Sequence, residues 1–438
     1  MLVRIDSQLR ITDYTKAEKG KIIENNTWLN PAYTQARKMR RKTWNIDKYL
    51  FTYSLDGNEI VVPRGYLSKL PDCKVIDNTT VAAAHIPTLN GFIPKGYQEQ
   101  AISETITHDQ GILQSGTGSG KTLMGLAIAH EKQQRTLILT HSKNLMYQWQ
   151  NEIKKFMGID AGLIGDGKVI QGDITIAMLQ TLDRNPELVQ QLCGNYGTAL
   201  IEECHHIPSN TFSKVINQLA CKYRYGLTAT PHRRDGLHDL INLHIGDVVA
   251  VVADNDVAAE NGSVPITVKK IYSKRYYQVD NWNGYVNQLT ADASRNAQIV
   301  SAGEKASEKM PTLILTDRVQ HAETLSQMSK KKHLLIHGKL KAKERRERMA
   351  QIAQYDLVIG TTGLLGEGLD VSGWTALILS TPISSRVKLL QVIGRVMRPA
   401  LGKTRGFVAD FVDSCHFSRS SYKKRLEIYA EKGYKLVA

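Results

Sequence analysis

The run Ser115-Gly116-Thr117-Gly118-Ser119-Gly120-Lys121-Thr122 contains the residue types that hold phosphates. Gln110-Gly111-Ile112-Leu113-Gln114 before it reads as a short buried strand, and Leu123 to Ala129 after it as a buried helix. A strand, a glycine-rich turn and a helix start bring backbone N–H groups and a positive dipole end to one spot, which suits an anion. Thr117, Gly118, Ser119 and Gly120 are the expected cradle. Lys121 is placed to reach the outer phosphates of a nucleotide, and the Thr122 hydroxyl to hold a magnesium ion. The strict pattern has glycine where this chain has Ser115.

The composition sets the frame for that loop. A chain of 438 residues exceeds one ordinary core and predicts two to four domains. At 42% hydrophobic and 23% charged residues it is globular. Lys+Arg number 57 against 42 Asp+Glu, a net +15 that favours a polyanionic partner, nucleic acid before membrane. No apolar run approaches the roughly 18 residues of a membrane span. The first residues lack the apolar core of a secretory signal. The 5 cysteines form no C-x-x-C pair, which fits a reducing, intracellular setting. Cys204-His205-His206 has no second ligand pair at metal-site spacing, so no metal cluster is expected there.

Along the chain, residues 1–90 read as a separate small α+β module. Leu50 to Leu55 alternates like one strand, turns at Asp56-Gly57-Asn58 and returns through Glu59 to Pro63 as a hairpin. Arg37, Lys38, Arg40, Arg41, Lys42 and Lys48 cluster with Tyr33 and Trp44. That mixture fits either nucleic-acid contact or a solvated basic helix with two core aromatics. Pro71 to Pro87 reads as a connector. From residue 91, strands alternate with helices, which predicts parallel sheets with crossover helices. One such unit covers 91–243 and a second 244–438, with a basic C-terminal tail.

Beyond the phosphate loop, several stretches occur in an order that resembles the superfamily 2 helicases. Ile201-Glu202-Glu203-Cys204-His205 stands where the family has D-E-x-H. The resemblance implies that Glu202 holds magnesium through water and that Glu203 orients and deprotonates the attacking water. Gly226 to Pro231 is similar to the coupling motif, with Thr228 and Thr230. Its continuation, His232 to Leu237, resembles the subgroup of XPB-type translocases and UvsW-type phage recombination helicases. Thr361-Thr362 to Val371 matches the motif whose hydroxyls touch the nucleic-acid backbone, with Gly368 and Asp370 at the ribose. Gln391 to Pro399 matches Q-x-x-G-R-x-x-R, where Arg395 and Arg398, three apart on one side of a helix, act as arginine fingers. Gln98, after Lys95-Gly96-Tyr97, resembles the adenine reader. Thr140-His141-Ser142 and Thr181 stand where the family grips the tracking strand. His205 and Gln391 form the implied sensing pair.

The fold implied is two tandem RecA-like domains preceded by the small module, using ATP and Mg2+. The function implied is a DNA helicase or translocase working, as an expected monomer, on forked or branched DNA in recombination, repair or replication. RNA stays open as a partner, as does a duplex motor that separates no strands. Removal of residues 1–90 is expected to spare basal ATPase.

Overall fold

The computed structural model describes the chain apart from residues 117, 205–208, 230–237, 254–255, 258–259, 261, 263, 274, 366–372, 399, 401 and 438. It forms two compact units, Met1–Asp254 and Asn255–Ala438.

The core of the first unit is an 8-stranded sheet. From edge to edge its strands are Lys168–Ile170, Gly162–Gly165, Ile174–Met178, Thr136–Thr140, Thr198–Glu202, Tyr223–Thr228, Gln110–Ser115 and Val248–Val252. All neighbours are parallel except the first pair. The central strands are buried on both faces, so they read as unbroken apolar runs such as Leu137-Ile138-Leu139. Val248–Val252 pairs with the strand that leads into the phosphate loop. The first unit therefore ends near Asp254, not at 243. Taken alone, the Val248–Val252 run looks like the start of a new alternation, and only pairing shows that it closes the old one.

The N-terminal residues build their own 5-stranded sheet, but its core is shared. Val3, Ile5, Leu9, Ile11, Ile60 and Val62 pack in one cluster with Leu240 and Leu243 of the helix His238–Ile245. Buried Arg64 donates to Gln110 Oε1 (2.9 Å) and to the carbonyls of Cys221 (2.5 Å) and Lys222 (2.8 Å). A Cβ on Gly65 would lie 2.0 Å from the Asn242 carbonyl oxygen, so the two backbones meet where only glycine fits. Deleting residues 1–90 would uncover Leu240 and Leu243 of this shared core.

Two local expectations also change. The predicted strand 50–55 is broken: Tyr49–Phe51 pairs with Thr27–Leu29, while Ser54–Asp56 forms the hairpin with Glu59–Pro63. Thr52 between them donates its N–H to the Asn26 carbonyl. The predicted connector contains a strand, Lys74–Asp77, parallel to Leu2–Ile5. It then straps the first unit through Thr80, whose N–H donates to Ala220 O and whose carbonyl accepts from Lys222.

The second unit has a 7-stranded parallel sheet. Its order is Leu334–Ile336, Leu357–Thr361, Thr312–Thr316, Ala376–Leu379, Gly406–Asp413, Ile266–Ser273 and Lys435–Val437. One face packs on Leu389, Val392, Ile393 and Val396 of the helix Arg386–Met397, the other on Ile299, Val300, Ala322 and Leu325.

Candidate nucleotide-binding site

The phosphate loop connects the end of Gln110–Ser115 to the helix Lys121–Lys132. Gly118 and Gly120 both take φ +85, which glycine adopts without strain. A Cβ at Gly120 would approach Gln98 Nε2 to 2.5 Å. Ser119 Oγ donates to the Gly116 carbonyl at 2.7 Å, and the buried Ser115 hydroxyl donates to Ser119 Oγ. Ser115 thus closes the loop with a side-chain bond where the strict pattern has glycine. Lys121 Nζ donates to Ser115 O (3.2 Å) and lies 3.9 Å from Glu203 Oε1. Thr122 follows in the first helical turn.

Glu202 ends its strand, and Glu203 turns the chain with φ 48. A non-glycine residue in that region carries backbone strain of order 1–3 kcal/mol, a mark of functional turns. Burial, then the neighbouring Glu203 charge, raises the Glu202 carboxyl to about 8, against lowering by Lys121 and the Trp149 indole. Its Oε2 is buried with no hydrogen-bond partner among the described residues. A buried carboxylate oxygen without a partner in protein fits a cation as its partner. With the Thr122 hydroxyl, the residues present therefore suit magnesium. Trp149 escaped sequence reasoning because Met146, Trp149, Ile153 and Met157 form an ordinary buried helical stripe.

Gln98 lies against the loop, not open to solvent. Its Nε2 donates to Ser119 O (2.7 Å) and its Oε1 accepts from Lys95 N–H (2.9 Å). Each retains one further hydrogen-bonding position for a base. Thr117, His205, Thr230, Gly368 and Asp370 lie outside the described residues.

The expected strand-gripping residues lie at or just beyond strand ends, Thr181 in the short helix Leu179–Asp183, and several are engaged within the chain. Thr140 ends a strand and is fully buried. Ser142 caps the helix Lys143–Met157 by accepting from Leu145 N–H, and the His141 carbonyl accepts from Gln180 Nε2. Thr181 accepts from Asn185 Nδ2 through its carbonyl. Thr228 ends its strand next to Glu202, in the register Glu202 to Leu227. In the second unit Thr361 is buried, and the buried Thr362 hydroxyl donates to Thr316 O at 3.0 Å. As placed, the Thr362 hydroxyl ties adjacent strand ends together.

Gln391 and Arg395 share one face of the helix Arg386–Met397, and both are buried. Arg398 does not share that helix face as expected. It is the C-cap, with φ −60 and ψ 132, because the residue before a proline, here Pro399, is driven out of the helical region. Its carbonyl accepts from Lys403 Nζ, whose pKa falls to about 8 through burial and then the Arg398 charge.

The chain is similar to several helicases. The domain "type III restriction enzyme, res subunit" matches residues 92–233, and "helicase conserved C-terminal domain" matches 294–400. The probable helicase D10 of Escherichia phage T5 is 24% identical over 83% of this chain and 81% of its own length. The DNA 3'-5' translocase XPB2 of Sulfurisphaera tokodaii is 32% identical over 41% of this chain and 40% of its own. The ATP-dependent DNA helicase uvsW of Enterobacteria phage T4 is 21% identical over 73% and 68%. Among solved structures, a fragment of a putative HsdR subunit of a type I restriction enzyme from Vibrio vulnificus has the same fold. Its TM-score is 0.57, at 19% identity, over 74% of this chain and 65% of that one.

Proposed function

Because this chain belongs to superfamily 2 of the helicases, with tandem RecA-like domains after a small α+β module, we propose that it is an ATP-driven DNA helicase or translocase that acts on forked and branched DNA. The observation that carries the reading is the meeting of Lys121 with Glu203 beyond the C-terminal ends of the two strands that flank Tyr223–Thr228, beside buried Glu202. That is the crevice in which open parallel sheets bind nucleotides.

Lys121 and the loop N–H groups bind and orient the β- and γ-phosphates of ATP. The Glu203 carboxylate aligns a water for in-line attack and accepts its proton. Magnesium, held by the Thr122 hydroxyl and Glu202, supplies positive charge to the phosphate oxygens when bound. Their motif implies that Arg395 and Arg398 add positive charge at the γ-phosphoryl group as it is transferred from ADP to water.

DNA is preferred over RNA because two relatives are named for DNA. The branched preference follows the resemblance to the phage recombination helicases. The basic cluster in the N-terminal module supports it: Trp44 is 84% exposed among Arg37, Arg40, Arg41 and Lys42, so it is no core aromatic. An exposed indole among cations suits bases and phosphates. The test is ATPase rate with single-stranded, duplex, forked and four-way DNA, and with RNA. Greatest stimulation by forks supports the reading; greatest stimulation by RNA, or none by any polymer, overturns it. A duplex motor, favoured by the XPB2 likeness, would consume ATP on duplex yet fail to displace a strand from a fork.

A further inference from the structure

On the second unit, a concavity of about 530 Å³ lies between the strand Ile266–Ser273 and the helix His416–Glu431. Lys270 and Tyr272 line it from the strand, and Arg419, Tyr422 and Lys423 from the helix, over an apolar floor of Val412 and Leu426. Among the described residues, no ion pair involves Lys270, Arg419 or Lys423. Three like charges are thus gathered in one hollow with no carboxylate in its lining, an arrangement that an incoming polyanion relieves.

The hollow is built in advance. Lys270 Nζ sits 5.1 Å from the ring centroids of both Tyr272 and Tyr422, so it is held by two cation–π contacts. The helix is pinned from below by buried Arg425, which makes a bidentate pair with Asp410 (2.8 Å to each oxygen). The Arg425 guanidinium lies 5.5 Å from the Tyr422 centroid. The Tyr272 hydroxyl bonds Ser414 Oγ at 2.9 Å, while the residue stays 52% exposed. The edge strand Lys435–Val437 covers only Thr267 to Lys269, so the backbone beyond Lys269 is open on that side.

We propose that this hollow holds a nucleic-acid strand, with a phosphodiester at Arg419 and Lys423 and a nucleobase against Tyr272. The proposal rests on the nucleic-acid reading above but concerns a different place. The motif residues Thr361 and Thr362 lie at the end of the strand Leu357–Thr361, and the strands Thr312–Thr316, Ala376–Leu379 and Gly406–Asp413 lie between it and Ile266–Ser273. Cations for phosphates beside an aromatic face for bases are what strand binding uses. An acidic peptide would use the cations and leave the ring idle. The hollow would grip an arm of the substrate away from the strand being tracked.

The experiment uses the full chain and a fluorescent forked DNA, with anisotropy titrations across a salt series. Arg419→Gln combined with Lys423→Gln should weaken binding about tenfold and make log K against log salt shallower by about 2. Tyr272→Ala should weaken binding with the salt slope retained. Circular dichroism melts matching the parent show that loss is not misfolding; both charged residues are exposed, so their exchange leaves the core intact. Parent-like affinity and slope in the double variant overturn the proposal. So does unchanged DNA binding with loss of polyglutamate binding, which would make the hollow a protein dock. If the parent protein binds no DNA at all, the broader reading falls first, and that result is distinct from failure of the pocket alone.

Discussion

The Lys121 ammonium lies 3.9 Å from the Glu203 carboxylate, with both side chains mostly shielded from solvent. Lys121 starts a helix, while Glu203 follows a strand more than eighty positions later. Parallel pairing through Tyr223–Thr228 brings the two strand ends together. Charge and position thus meet where a phosphate and its attacking water would have to be.

Glu203→Gln keeps the shape of the side chain and removes its basicity. It should retain ATP binding and lose turnover by about 10²-fold or more, the scale of general-base losses. Nucleotide binding by fluorescence and single-turnover hydrolysis would be measured together. Hydrolysis at the parent rate would remove Glu203 from its assigned role.

Arg398→Ala should lower kcat by about 10³-fold, since an arginine finger acts mainly in the transition state. Steady-state kinetics decides it. A change confined to KM would mean that Arg398 only binds.

Arg224 is fully buried and donates to the carbonyls of Ser7 (3.1 Å), Ile216 (3.3 Å), Leu219 (2.7 Å) and His244 (2.9 Å). It joins the ends of two helices to the N-terminal module. Burial, then Arg64, lowers its pKa well below the usual value. Arg224→Met should destabilise the first unit by roughly 3–5 kcal/mol, because four buried carbonyls lose their donor. Urea unfolding followed at Trp149 would show it; an unchanged midpoint would place the restraint elsewhere.

His321 is buried and bonds Thr316 Oγ1 (2.7 Å) and Asn296 Oδ1 (2.9 Å). Burial, then Arg295, lowers its pKa from 6.5 to about 3. Between those values the unfolded chain binds a proton that the native unit refuses. Stability is therefore full above pH 6.5 and declines as pH falls towards 3. The loss from pH 6.5 to about 4.5 should be about 2–3 kcal/mol, and smaller in His321→Gln. Urea midpoints of the second unit at the two pH values test this; equal losses in both proteins would refute it.

The sheets were legible because strands buried on both faces must be apolar throughout, and runs such as Thr312–Thr316 hardly admit another reading. Pairing partners were not legible. The alternation of residues 50–55 is the same whether one strand or two receive it, and the break at Thr52 depends on Asn26, distant in the chain. The site motifs were legible as spacing, but not their surroundings: Ser115 closing the loop on Ser119, or Thr362 turned inward onto Thr316.

By itself the sequence determined the chemistry available: a phosphate loop, an acidic pair after a strand and two arginines near a helix end, since residue type and local spacing suffice for these. Only the tertiary structure decided what each group faces. The raised Glu202 carboxyl, the Arg224 tie between module and first unit, and the cationic hollow all come from burial and non-local contact. Those depend on which distant segments pack together, and no local pattern encodes that.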